Sequence, residues 1–311
     1  MRLATSLSLS LVIVLLSCGG AGPEPTAPAV DEVPDRLLVY TVNDPLAYFA
    51  ERLGGDQVEV VLPTPPGEDP AFWSPDPETI ATYQGADLIL LNGAGYAKWV
   101  ERATLPTAKL VDTSAGFSDR YIELTGTVTH SHGPGGDHEH GGWAFTTWLD
   151  PTLAVEQARS VADALSSRIP TAAAKIEERF TNLEADLMTL DARLKTAAKN
   201  IGDEPLLFSH PVYQYLIQRY GLNGVQLHWE PDEAPDGKMW SELGHDLEHH
   251  PARWMLWEGD PIASTIAALD ERGIASVVIS PCANTPAEGD WLTVMTANAE
   301  ALETIAVTIS D

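Results

Sequence analysis

Short apolar runs rich in β-branched and aromatic residues recur along the chain, and between them apolar positions fall at three- and four-residue spacing. Positions 36–42 (RLLVYTV) predict a strand, and over 45–53 the residues Leu46, Phe49 and Leu53 share one helical face before Gly54 and Gly55 stop it. The same alternation continues through 58–62, 78–84, 87–91, 95–102 and 109–111. Strands alternating with helices imply a parallel sheet covered on both faces. At Asp150-Pro151 the pattern changes: Asp150 reads as an N-cap, and Pro151 takes a first-turn position whose missing N–H costs nothing. Helix is expected over 152–166 and again over 171–200, where Ile176, Phe180, Leu183, Leu187, Leu190 and Leu194 keep a helical period in a charged background. Thirty such residues reach about 45 Å, more than a small domain's width. A second alternation follows at 205–209, 212–220, 225–228, 238–249, 254–257, 261–272 and 276–279, with a closing helix over 291–308. The expected fold class is therefore α/β, with two lobes (36–150 and 203–311) joined by connecting helices over 151–202, one of them long. A stiff connector of this kind favours small ligand-driven movements over wide closure.

One stretch escapes the alternation. Between Thr127 and Pro151 four histidines, His130, His132, His138 and His140, sit in a glycine-rich run, read here as a flexible loop over 127–142. Neutral imidazoles are the commonest protein ligands for zinc, copper and nickel, and a flexible loop can bring several to one ion. The competing reading is a solvated insertion with incidental histidines.

The N-terminus has the charged start, short apolar centre (Leu7 to Leu16) and small-residue exit of an export signal over 1–17. Leu15-Leu16-Ser17-Cys18 resembles the bacterial lipobox, which would make Cys18 a lipid anchor, and the Pro-, Gly- and Ala-rich stretch over 18–35 a tether. With Cys18 so used, Cys282 is the single remaining cysteine, so no internal disulfide forms and stability rests on ordinary cores. A net charge of −27 argues against nucleic acid as a partner and concentrates cations, although solubility or salt adaptation produces the same acidity.

Several ordered motifs carry a family resemblance. Thr41-Val-Asn-Asp-Pro45, Pro63-Thr-Pro65 through Asp69-Pro70, Asp87 through Asn92-Gly93, Trp148-Leu-Asp-Pro151 and Ser209-His210-Pro through Arg219-Tyr220-Gly221 resemble the solute-binding lipoproteins of bacterial zinc and manganese ABC importers. The resemblance spans nearly the whole chain beyond its N-terminus. It implies an extracytoplasmic, monomeric receptor that captures a divalent cation, Zn2+ or Mn2+, between two lobes and presents it to a membrane permease. The histidine-rich stretch ahead of Trp148 resembles the zinc-preferring branch.

The family holds its ion with three histidines and one carboxylate, and this chain departs from that set. Ala71 follows Asp69-Pro70 where a histidine is usual, Thr146 stands two before Trp148 where another is usual, and Ser280 falls at the usual carboxylate; His210 alone matches. One imidazole cannot hold zinc, which takes about four donors. Replacement donors are expected at the carboxyl ends of the second lobe's strands, where open α/β sheets collect ligands: His228, Glu230, Glu258 and Cys282, with His130, His132, His138 and His140 reaching in from the facing lobe. The bland alternatives are a hydrogen-bonded His228, solvated or capping glutamates and a buried thiol. His245 and His249, four apart on a helix, read as surface residues. Phe72, Trp73, Trp143, Phe145, Trp148 and Trp229 lie beside these positions and suggest an aromatic cleft suited to a chelated metal or an organic solute, against the commoner role of such rings in packing.

No His-Glu-x-x-His helix, Gly-x-Ser-x-Gly elbow or phosphate-cradling glycine loop occurs, so an enzyme is not expected. The expectation is a metal receptor feeding an ABC permease. The alternatives are a surface zinc-buffering lipoprotein using only the histidine run, or a receptor of the same fold for another cargo.

Overall fold

The computed structural model describes residues 36–131 and 137–310, with 125–131 and 137–141 placed by their backbone alone. The first lobe is a four-stranded parallel sheet of order β2-β1-β3-β4, made of β1 (Leu37–Thr41), β2 (Val58–Val61), β3 (Leu88–Leu91) and β4 (Leu110–Asp112). Its helices are α1 (Asp44–Gly54) and α2 (Pro77–Gly85). Asn43 caps α1 by accepting from the Leu46 N–H at 3.3 Å, and Asp76 caps α2 by accepting from the Thr79 N–H at 2.7 Å, so each helix starts where a short polar side chain precedes proline. The 95–102 segment is no α-helix: Ala94 and Ala97 have positive φ, and only a 3-10 turn, Lys98–Glu101, follows.

The histidine-rich stretch also differs from expectation. Its backbone is not an open loop but an antiparallel ribbon of β5 (Glu123–Ser131) and β6 (Asp137–Trp143), with His130 opposite His138 and Val128 opposite His140 in the register. His132 lies outside the described residues. The ladder is a backbone pairing, which a glycine-rich sequence without apolar alternation does not announce.

Two long helices, α3 (Pro151–Arg168) and α4 (Ala173–Ile201), lead to the second lobe. Asp150 Oδ1 accepts from the Thr152 N–H at 2.8 Å, as the Asp-Pro pair predicted. The 29 residues of α4 bury Ile176, Phe180, Leu183, Leu187, Leu190 and Leu194 as one stripe. The second lobe repeats the first with sheet order β10-β9-β7-β8, all parallel: β7 (Leu206–Phe208), β8 (Gly224–Gln226), β9 (Trp254–Trp257) and β10 (Ala275–Val278). Around it lie α5 (Gln214–Tyr220), α6 (Gly237–His249), α7 (Ala263–Asp270) and α8 (Trp291–Ser310).

Helix α4 packs against α1 and α3 on one side and α5 and α8 on the other. One hydrophobic core runs through both lobes, and a smaller one lies beneath α6 around Leu243, Met255 and Trp257. Trp291, fully buried at the start of α8, meets Phe49 and Tyr48 of α1 with ring centres 5.2 and 5.6 Å apart. Residues 35–311 accordingly form one compact unit. Among the described residues no helix is long and apolar enough to cross a membrane.

Candidate metal centre

Parallel strands point all their carboxyl ends the same way, and in the second lobe the segments leaving β7, β8, β9 and β10 border one cleft. Ser209 extends β7 by donating its N–H to the Leu256 carbonyl at 2.8 Å, and the next residue, His210, is almost fully buried. A tight turn, with the Val212 N–H on the His210 carbonyl at 2.9 Å, holds the imidazole there. Glu258 directly follows β9, its N–H on Ser209 Oγ at 3.3 Å. Glu230 follows β8 after Trp229 has donated its N–H to the Ser209 carbonyl at 2.7 Å.

These three side chains converge. His210 Nδ1 lies 3.4 Å from Glu230 Oε1 and 3.9 Å from Glu258 Oε1, and one donor atom of each lies within 4.8 Å of the other two. Burial is the main reason that the Glu258 carboxyl is pushed up to about 8, with the negative charges of Glu230, Asp69 and Asp232 adding to it. The Glu230 charge beside it disfavours ionisation of Glu258, and a divalent ion that takes the place of the Glu258 proton removes that conflict.

Of the expected donors, His210, Glu230 and Glu258 come together and two do not. His228 is exposed, its ring edge-on to His210 with centres 5.9 Å apart, outside the three-residue cluster. Strand β8 ends at Gln226, so the alternation that would put 228 and 230 on one face no longer applies. Cys282 borders the cleft but is turned away from the cluster: its backbone is left-handed (φ 52°) and its Sγ lies 3.9 Å from Asp44 Oδ2. Burial and the neighbouring Asp44 charge push that thiol well above its ordinary range, so it stays protonated. His130, His138 and His140 are placed only as ribbon positions.

The three positions where the resemblance calls for ligands have structural duties instead. Ala71 is buried and its N–H bonds Asp69 Oδ1 at 2.8 Å. Thr146 Oγ1 donates to the Val212 carbonyl at 2.5 Å, across the cleft. Ser280 pairs both ways with Asn298, its N–H on Oδ1 at 2.9 Å and its carbonyl receiving Nδ2 at 2.7 Å.

The first lobe supplies the opposite wall. Asn92, at the end of β3, is locked by a buried amide network: it accepts from Asn43 Nδ2 (3.1 Å) and Gln157 Nε2 (3.2 Å) and donates to the Phe145 carbonyl (2.9 Å). That bond sets the 145–148 segment, where Tyr96 contacts Phe145 and Trp148 edge-on and Phe145 meets Phe72. Trp148 Nε1 crosses to the Pro281 carbonyl at 2.8 Å, and Asn284 Nδ2 crosses back to the carbonyls of Pro65 and Glu68. The cleft so enclosed measures about 800 Å³, with Phe72, Trp73, Tyr96, Phe145 and Trp148 on its walls and Glu68, Asp69, Glu230, Asp232, Glu233 and Glu258 as its acidic groups; among the described residues no lysine or arginine lines it. Two expected aromatic positions are absent from that wall: Trp143 is exposed and Trp229 is packed in the second core against Trp240. Sequence reasoning missed Glu68, Asp69, Asp232 and Glu233 as the cleft's remaining acidic groups; for the last two the Glu-Pro-Asp-Glu run at 230–233 was the available signal.

A sequence profile described as "ZnuA: Zinc-uptake complex component A periplasmic" matches residues 39–305. The chain belongs to that family. It is similar to the high-affinity zinc uptake system protein ZnuA of Bacillus subtilis (strain 168), 24% identical over 280 residues and covering 83% of each chain. A manganese ABC transporter substrate-binding lipoprotein, PsaA of Streptococcus anginosus, is 26% identical over 248 residues, covering 76% of this chain and 74% of its own. Among solved structures, the metal-dependent lipoprotein YcdH from Bacillus subtilis superposes with a TM-score of 0.74 at 22% identity, covering 86% of this chain and 99% of its own. The Zn(II)-bound ZnuA-like domain of Streptococcus pneumoniae AdcA gives 0.74 at 20% identity, with 87% and 99% covered. The ZnuA family fold is thus shared throughout, including the two parallel sheets and the long connecting helix.

Proposed function

We propose that the chain is an extracytoplasmic receptor that takes a divalent transition metal, zinc first and manganese second, into its cleft through His210, Glu230 and Glu258 and delivers it to an ABC import permease. The observation that carries this is the convergence of one buried imidazole with two carboxylates at the carboxyl ends of three parallel strands. Membership of the zinc-uptake family and the zinc and manganese named for its relatives give the cargo class. One nitrogen and two oxygens suit either ion, and water or a donor from the histidine ribbon completes the coordination. Asp69, Asp232 and Glu233 add negative potential at the cleft, raising the local cation concentration. The protein works as a monomer tethered through a lipidated Cys18, a residue outside those described.

Titration with Zn2+ and Mn2+ of the whole protein, of His210→Ala and of a deletion of 130–141 tests the assignment. Loss of tight binding in His210→Ala with retention in the deletion supports it. The reverse pattern makes the protein a surface zinc buffer. Mass spectrometry of the membrane fraction checks for the lipid on Cys18.

A second reading has its own observation. The cleft is far larger than a hydrated ion needs, and five aromatic rings line it, so it also suits a metal carried with a small organic chelator that stacks on Phe72 or Phe145. Tighter binding of zinc in the presence of an equimolar aromatic chelator than of zinc alone would favour it.

A further inference from the structure

A second group of metal-ligating side chains lies away from the cleft, on α6. Asp236 caps this helix by accepting from the Lys238 and Met239 N–H groups, both at 2.8 Å. Its inner face is fixed by Leu243, buried in the second core, and by Trp240, wedged between Trp229 (ring centres 4.8 Å apart) and the Arg272 guanidinium (4.3 Å from the ring centre). That anchoring leaves His245, Glu248 and His249 together on the outer face, all exposed. Spacings of three and four residues stack side chains one turn apart. The rings of His245 and His249 have centres 5.2 Å apart, His245 Nδ1 lies 3.8 Å from Glu248 Oε2, and one donor atom from each residue falls within 4.8 Å of the other two.

We propose that His245, Glu248 and His249 form an outward-facing site for a borderline divalent transition metal, Zn2+, Cu2+ or Ni2+, independent of the cleft. Two imidazoles on a stable helical turn bite one ion without reorganising the backbone, and the carboxylate supplies a third donor and a compensating charge. Hard cations such as Mg2+ and Ca2+ require oxygen-rich sets and are not held. Water fills the remaining positions, so the ion exchanges freely with solvent. The donor ratio is the inverse of that in the cleft, where one imidazole meets two carboxylates.

Equilibrium dialysis of the full chain against Zn2+, with His245→Ala/His249→Ala alongside, tests this directly. Both positions are exposed and alanine favours helix, so the variant keeps its fold, which circular dichroism checks. The expected result is a loss of one bound equivalent, the same in a His210→Ala background, and the disappearance from the Cu2+ electron-spin-echo spectrum of one two-imidazole species. Glu248→Gln keeps that spectrum but weakens the equivalent several-fold. Equal stoichiometry in the whole protein and the double variant overturns the site; an unchanged affinity in Glu248→Gln overturns the three-donor arrangement.

Discussion

Replacing Glu258 by Gln removes one ionisable group of the cleft while keeping its size, and the structure sets the size of the effect. Burial, reinforced by Glu230, Asp69 and Asp232, raises this carboxyl from 4.5 to about 8. At pH 7 such a group is about 90% protonated, so each arriving ion displaces about 0.9 proton from it. Apparent affinity then falls by about 50-fold between pH 8 and pH 6 through this group alone, or about 2 kcal/mol. Linkage runs the opposite way for the metal-free fold. Because the folded pKa lies above the unfolded one, the stabilisation is complete below pH 4.5 and is lost as pH rises toward 8. That elevation is worth at most about 5 kcal/mol, and less because the side chain, 22% exposed, opens onto the cleft. Zinc calorimetry at pH 6, 7 and 8 in two buffers of different ionisation enthalpy measures the protons directly. Glu258→Gln should release about 0.9 fewer protons at pH 7 and flatten both the affinity and the stability profiles across pH 5 to 8. Equal proton release by the two proteins would refute the assignment of a protonated Glu258.

Three further outcomes follow from packing. Asp191, buried on α4, accepts from Arg219 Nε (3.0 Å), Arg219 Nη2 (2.9 Å) and Tyr220 OH (3.1 Å); Asp191→Ala leaves Arg219 with Asp150 (3.5 Å) and should cost about 1–3 kcal/mol in urea unfolding. Trp148→Phe removes the donor to the Pro281 carbonyl that joins the cleft walls; a loss of about 1–3 kcal/mol is expected, and a difference within error would show that bond to be idle. Gly93 has φ 78°, and a Cβ there would collide with Ser114 Oγ and Asp112 Oδ1, so Gly93→Ala should lower the melting temperature, whereas Gly95→Ala, with open space around it, meets only the backbone strain.

The doubly repeated α/β alternation was legible because each strand is a short apolar run and each helix keeps its period, down to Asp150-Pro151 as a start and the leucine stripe of α4. What escaped were elements whose stability is not written in side-chain pattern. The β5 and β6 ribbon depends on backbone pairing between glycine- and histidine-rich segments, and the 94–97 turn rests on two alanines in left-handed conformation. Within the cleft, the strand-end rule named His210, Glu230 and Glu258, which the structure brings together and whose role as ligands is the proposal made above. His228, beyond the end of its strand, and Cys282, whose Sγ lies beside Asp44, stay outside that three-residue cluster. His245 and His249 were read as surface residues; their four-residue spacing is plain in the sequence, but the closeness of Glu248 required coordinates.

The junction of Trp291 with Phe49 and Tyr48 bears on how the molecule is made. These partners lie more than 240 residues apart in the chain, so the first lobe's interior stays incomplete until the final helix has been synthesised. A polypeptide stopping short of that tryptophan would leave Phe49 wet and the interior unsealed. Neither half is therefore a self-sufficient folding unit, and dissection of the receptor into separately expressed fragments should yield aggregating material that recovers only when the pieces are refolded together.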